Sequence, residues 1–239
     1  MVPVQFAGRE PETDVSAGRW VADAVRPGLG VAGLLPPLFP AAARVFHPAA
    51  HYVGDDDVDV RWAEVAAANG TTAHPLMEWG GITGSLDFYE EADQSPVWEG
   101  APARGHLPEQ VAGPLAEVLA RHTQTPDDCF FGVWDGFGFI TAPQPRLTAG
   151  ARSFWLVRGP VTLAAANMAA EPWEQGASLW WPADRAWCVA TDVELVSTYL
   201  VGSAACVADV LGDPRLETAA ASATQPVGDE ADTVNPPPD

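Results

Sequence analysis

Residues 178–192, read as SLWWPADRAWCVATD, constrain the fold more than any other stretch of the chain. They read as a β-hairpin. Trp180 and Trp181 end one strand, Pro182 to Arg185 turn, and Ala186 to Thr191 return. Pro182 already has the φ that position i+1 of a type I turn needs. On the return strand, alternation puts Trp187, Val189 and Thr191 on one face and Cys188, Ala190 and Asp192 on the other.

Other segments read in the same way. Cys129 to Trp134 and Phe137 to Thr141 flank Asp135-Gly136, a pair suited to the type I′ turn of a hairpin, where both central residues need φ > 0. Ser153 to Arg158 is a further strand, and Val31 to Leu35 a short one. Helices are expected at Trp20 to Val25, stopped by Pro27. A second should run from Val60 to Ala68, with Asp59 as its N-cap and Asn69-Gly70 as its stop. Pro114 to His122, with a start as early as Pro108, carries a helical apolar stripe, and His122 suits its C-terminal dipole. Pro160 should open a helix through Met168, and Ser203 should cap one over Ala204 to Leu211. Hairpin-linked strands with few helices imply an α+β fold, a mostly antiparallel sheet with helices packed on one side.

At 239 residues the chain can bury a substantial core. Residues 1–18 lack apolar periodicity and read as a flexible arm. Residues 19–216 read as one globular domain, or as two subdomains meeting near 106. Residues 217–239 carry five acids, no base and three consecutive prolines, and read as a disordered tail. Residues 71–108 are irregular, yet too aromatic for a linker.

The formal net charge is −20, and all 12 basic residues are arginine. Such a chain has little with which to neutralise phosphates, so nucleic acid and anionic membranes are poor partners, and a basic protein is a better one. Cys129, Cys188 and Cys206 lie far apart in apolar runs without metal spacing, as buried reduced thiols of a cytoplasmic protein would. No window is long and apolar enough to span a membrane, and the N-terminus lacks a signal-peptide pattern.

Motifs that carry chemistry fail on inspection. Gly28, Gly30 and Gly33 match GxGxxG, but Pro27 precedes them and Pro36-Pro37 follow, which denies the motif its helix. Asp55, Asp56, Asp57 and Asp59 fail the EF-hand pattern, because Val60 and Ala66 stand where Gly and Glu belong. His47 and His51 lack a third ligand at fixed spacing, so neither metal nor other cofactor is implied. The best surface candidate is Arg185 with Asp184, beside Trp180, Trp181 and Trp187, an arginine fork among aromatic planes. A solvated turn over buried tryptophans is the simpler account. Trp134-Asp135-Gly136-Phe137 is a second aromatic-edged tip of the same kind.

Three strings, RVFHPA at 44–49, VRWAEVAA at 60–67 and LWWPADRAWCVATDVE at 179–194, together resemble an uncharacterised family of hypothetical proteins from GC-rich actinobacteria. The resemblance implies no activity. Two functions fit the residues. One is a non-catalytic protein-binding or regulatory protein, immunity-like, that engages a basic partner. The other is an enzyme or small-ligand binder with a pocket near the Trp180–Trp187 hairpin, using His47 and Arg185.

Overall fold

The computed structural model describes residues 4–26, 28, 30–54, 56–85 and 97–235. Strands β1 (Ala41–Phe46), β4 (Cys129–Trp134), β5 (Leu147–Ala149), β6 (Arg152–Gly159), β7 (Leu179–Pro182), β8 (Trp187–Ala190), β9 (Ser197–Gly202) and β10 (Thr218–Ala221) form one sheet. Its order is β10-β1-β9-β8-β7-β4-β6-β5, and every neighbouring pair is antiparallel. Strands β2 (Ala49–Val53) and β3 (Asp56–Val60) pair separately as a hairpin. The helices are α1 (Arg19–Ala24), α2 (Trp62–Asn69), α3 (Trp79–Thr83), α4 (Glu109–Ala120) and α5 (Ala204–Leu211). The fold is α+β, as the hairpins imply. Strand β1 comes from the first half of the chain and lies between β9 and β10 from the second.

The tryptophan pair organises the sheet because adjacent strand residues face opposite ways. Trp180 stacks on Phe131 at 6.0 Å and meets the edge of Trp187 at 5.1 Å. Trp187 Nε1 donates to the Leu119 carbonyl at 3.0 Å, which ties this face to α4. Trp181 points the other way, stacks on Phe130 at 5.8 Å and meets Trp20 of α1. Helices α4 and α5 pack on the Trp180 face. Helix α1 and the turn at Val31–Gly33 cover part of the Trp181 face. A third apolar cluster joins Phe46 to Trp62, Trp79 and Trp98, and so seats α2 and α3.

Several expectations are corrected. Pro182 is the first residue of its turn rather than the second, since its carbonyl accepts the Arg185 N–H at 2.8 Å. Asp135-Gly136 makes no hairpin, and 137–141 is not a strand. Neither residue takes positive φ, and β4 instead pairs with β6 and β7. Phe137 stacks on Phe139, which stacks on Trp173, so these rings are used in side-chain packing rather than on a strand. Residues 31–33 and 161–165 are short 3-10 turns, not a strand and a long helix. Residues 1–18 are no free arm over their described part. Phe6 is buried against Trp155, and the Glu12 N–H bonds the Leu156 carbonyl.

The tail is corrected most. Among 217–235, β10 pairs with β1, Val31 N–H bonds Gln225 O, and Asn235 exchanges hydrogen bonds with the Thr72 backbone. Acidity does not leave this segment loose, because Glu217 and Asp232 meet backbone donors. Pro236 to Pro238 lie outside the described residues, as do Phe88, Tyr89 and the acids Glu90, Glu91 and Asp93. Glu217 also takes the role expected of Asp59, which lies in β3. Its two oxygens accept the Trp62 and Ala63 N–H groups at 2.7 and 2.9 Å and close the open end of α2. Glu217→Ala is therefore expected to cost about 1–2 kcal/mol in chemical denaturation, the usual loss of a helix cap. An unchanged midpoint and slope would remove Glu217 from that role.

Candidate functional site

The residues nominated from sequence do not converge. Trp180, Trp181 and Trp187 are each 1 % exposed or less and belong to the core. Asp184 accepts from Thr123 Oγ1 at 2.8 Å and from the Gln124 N–H at 2.6 Å, which fastens the hairpin tip to the loop after α4. Arg185 takes φ +59° at the turn and lays its guanidinium 5.7 Å from the Trp20 ring. His47 lies at the other end of these strands, past Phe46, which pairs with Ser197. It is fully buried. Its Nδ1 meets the Ala103 carbonyl at 2.6 Å, and its Nε2 meets Thr198 Oγ1 at 2.9 Å. A carbonyl only accepts, so Nδ1 carries the proton and Nε2 receives the Thr198 hydroxyl. Burial is the main reason its pKa falls to about 3, which keeps the ring neutral. Both nitrogens are thus engaged, and the proposed pocket of His47 with Arg185 does not form.

The hairpin does border a cavity, at its open end rather than its tip. The cavity holds about 390 Å³, within the usual range for small-molecule sites. Leu179, Ala190 and Phe154 line it from the Trp181 face of the sheet. They lie on β7, β8 and β6, and alternation places Trp134, Arg152 and Asp192 on that same face. The loop Asp192–Val196 forms one side, while Leu34 and the Val227–Asp229 segment close from the α1 side. The C-terminal segment that sequence reads as a loose tail is thus part of the wall.

Two charged assemblies frame this space. Arg152 donates to both oxygens of Asp192 at 3.1 and 3.0 Å, lies 3.5 Å from Glu194, and covers the Trp134 ring at 5.1 Å. The second assembly is deeper. Arg44 of β1 donates to Ser197 Oγ, the Met77 carbonyl and Glu78 Oε2 at 2.8–3.0 Å, with the Phe46 ring 4.6 Å away. Glu78, the residue before α3, lines the cavity and is 4 % exposed. Its Oε1 also lies 3.0 Å from Arg44 Nη2, within the same ion pair. Burial raises the Glu78 pKa to about 7. Arg44 opposes that rise, and Asp229 and Asp232 add to it. Burial would also raise Asp232, but hydrogen bonds from Asn235, the Glu78 N–H and the Val234 N–H prevail and hold it at about 2.

No protein family, no curated protein and no solved structure matches the chain. The site therefore stands on its own geometry. Among the described residues, no three His, Cys, Asp or Glu side chains assemble as a metal ligand set. The three cysteines are free and buried, and burial pushes Cys129 and Cys206 up to about 12. What the cavity offers is a near-neutral carboxyl beside an apolar floor, able to bond a ligand and to exchange a proton with it. Glu78 and Arg44 had one sequence signal, a lone charge inside an apolar stretch, AAARVF or MEW. Asp229 had none.

Glu78 and His47 tilt stability in opposite directions. Unfolded Glu78 ionises near its ordinary value of 4.5 and native Glu78 near 7, so its contribution is fully present below 4.5 and is lost as pH rises through 7. That loss totals about 3 kcal/mol. His47 has an ordinary value of 6.5 and a native value of about 3, so its contribution is present above 6.5 and is lost as pH falls toward 3. The slopes oppose each other between 4.5 and 6.5. In Glu78→Gln the His47 slope is left uncovered. Stability measured by urea unfolding should then climb with pH in that window relative to the native chain, by up to about 1.4 kcal/mol per unit. The same pH profile in both proteins would mean that Glu78 titrates normally.

Proposed function

We propose that the protein binds a small molecule in the cavity at the open end of the β7–β8 hairpin. The observation that carries this reading is Glu78. It is a carboxyl only 4 % exposed, ion-paired to Arg44 and raised in pKa by its burial, and it lines a cavity of about 390 Å³. The apolar floor of Leu179, Ala190 and Phe154 supplies contact area, and the Arg152–Asp192 pair gives a fixed polar wall.

A second reading, engagement of a basic protein partner by an immunity-like or regulatory chain, has its own support. Tyr52, Val53 and Val58 are exposed on the β2–β3 hairpin, where Asp57 also lies, and the net charge is −20. Exposed apolar residues rimmed by charge are a common docking feature. The pocket reading is preferred because it accounts for a buried group and not for surface composition alone.

The Ala151→Trp variant tests it. Ala151 is an exposed residue of the β5–β6 turn at the cavity wall, so an indole there blocks the space without disturbing the core. Fragments that bind the native protein by ligand-observed NMR are expected to lose at least roughly 1.4 kcal/mol, a tenfold weakening, in the variant. A screen with no binders, or binders indifferent to Ala151→Trp, contradicts the reading.

A further inference from the structure

We propose that the cavity selects a small organic cation, an amine on an apolar or aromatic body, with its ammonium against Glu78 and Asp229 and its body on Leu179, Ala190 and Phe154. This rests on the ligand-binding reading above and narrows it to a chemical class.

The guanidinium groups argue first. An anion would need a cation ready to receive it. Arg152 is occupied by both oxygens of Asp192, and Arg104 donates to the Glu194 carbonyl at 3.1 Å. Arg44 is occupied by Ser197, Met77 and Glu78. Recruiting any of them would break a charge-assisted or buried bond already made. The acceptors differ. Four carboxyls line the cavity, Glu78, Asp192, Glu194 and Asp229, against two guanidiniums, Arg104 and Arg152, and a carboxylate already bonded to arginine keeps lone pairs for a further donor. An ammonium brings three donors and a charge to such a wall.

The rest of the cavity points the same way. The floor is apolar, which serves an organic body and gives an inorganic ion nothing. A chain of net charge −20 attracts cations from solution.

The ammonium also couples binding to protons. Glu78 is faced by Arg44 on β1, by Tyr199 on β9 and by Asp229 and Asp232 of the C-terminal segment. Burial holds part of the Glu78 population protonated near neutrality. A cation alongside favours the carboxylate, so binding releases a proton and tightens as pH rises through about 7.

Three probes of one shape separate the outcomes: phenethylammonium, 2-phenylethanol and phenylacetate, titrated by calorimetry against the full chain. At about pH 8 the cation is expected to bind at least tenfold more tightly than the alcohol or the acid, and to weaken several-fold toward pH 6. Asp229→Asn, at an exposed position away from the core, should shrink the preference for the cation while the chain stays folded. If the alcohol or phenylacetate binds as well as the cation, the class assignment is overturned and the cavity remains a ligand site. If none of the three binds, both the class and the ligand-binding reading fall.

Discussion

The pairing of Arg44 with Glu78 is the interaction on which the site depends. Burying two charges is expensive, and an isolated pair seldom repays it. Here the guanidinium is nearly saturated by Ser197, Met77 and Glu78 and lies among the rings of Phe46, Trp62 and Tyr199. These contacts anchor β1 and β9 to the start of α3. The Glu78 N–H then holds Asp232, so the C-terminal segment hangs from the same point and reaches across to close the cavity. The carboxyl that results is desolvated and constrained. Such groups are costly to fold around, and sites of chemistry or recognition are where that cost is commonly met.

The hairpin of tryptophans supplies the frame. Trp180 and Trp181 separate the two faces, Trp187 ties one face to α4, and Trp20 ties α1 to the other. Asp184 and Arg185 finish the tip by bonding Thr123 and Gln124 and by lying over Trp20, and that end is structural. At the opposite end the strands separate into the Asp192–Val196 loop, and the cavity opens there. One hairpin thus has a sealed end and an open end, and the sealed end carries the more conspicuous residues.

That asymmetry explains what was legible. The hairpin, α5 with its Ser203 cap, the stop of α2 at Gly70 and the α+β class follow from local chemistry: alternation, capping and turn geometry. Asp135-Gly136 misleads because long-range pairing of β4 with β6 and β7 overrides a strong local turn signal. The tail misleads because its partners lie far away in sequence, Glu217 with Trp62 and Asn235 with Thr72. The site fails for the same reason. Glu78, Arg152 and Asp229 come from separate segments, and no spacing rule joins them. Arg44 alone in an apolar strand and Glu78 between Met77 and Trp79 were readable as buried charges needing partners, but not as partners of each other.

The most direct test is methyl NMR of the protein with its best-bound fragment. Shift changes centred on Leu179, Ala190, Val196 and Val227 would place the ligand on the floor and wall of the cavity, as the account requires. Changes centred on Val53 and Val58 of the β2–β3 hairpin, with the cavity methyls unmoved, would contradict it and return the function to protein docking.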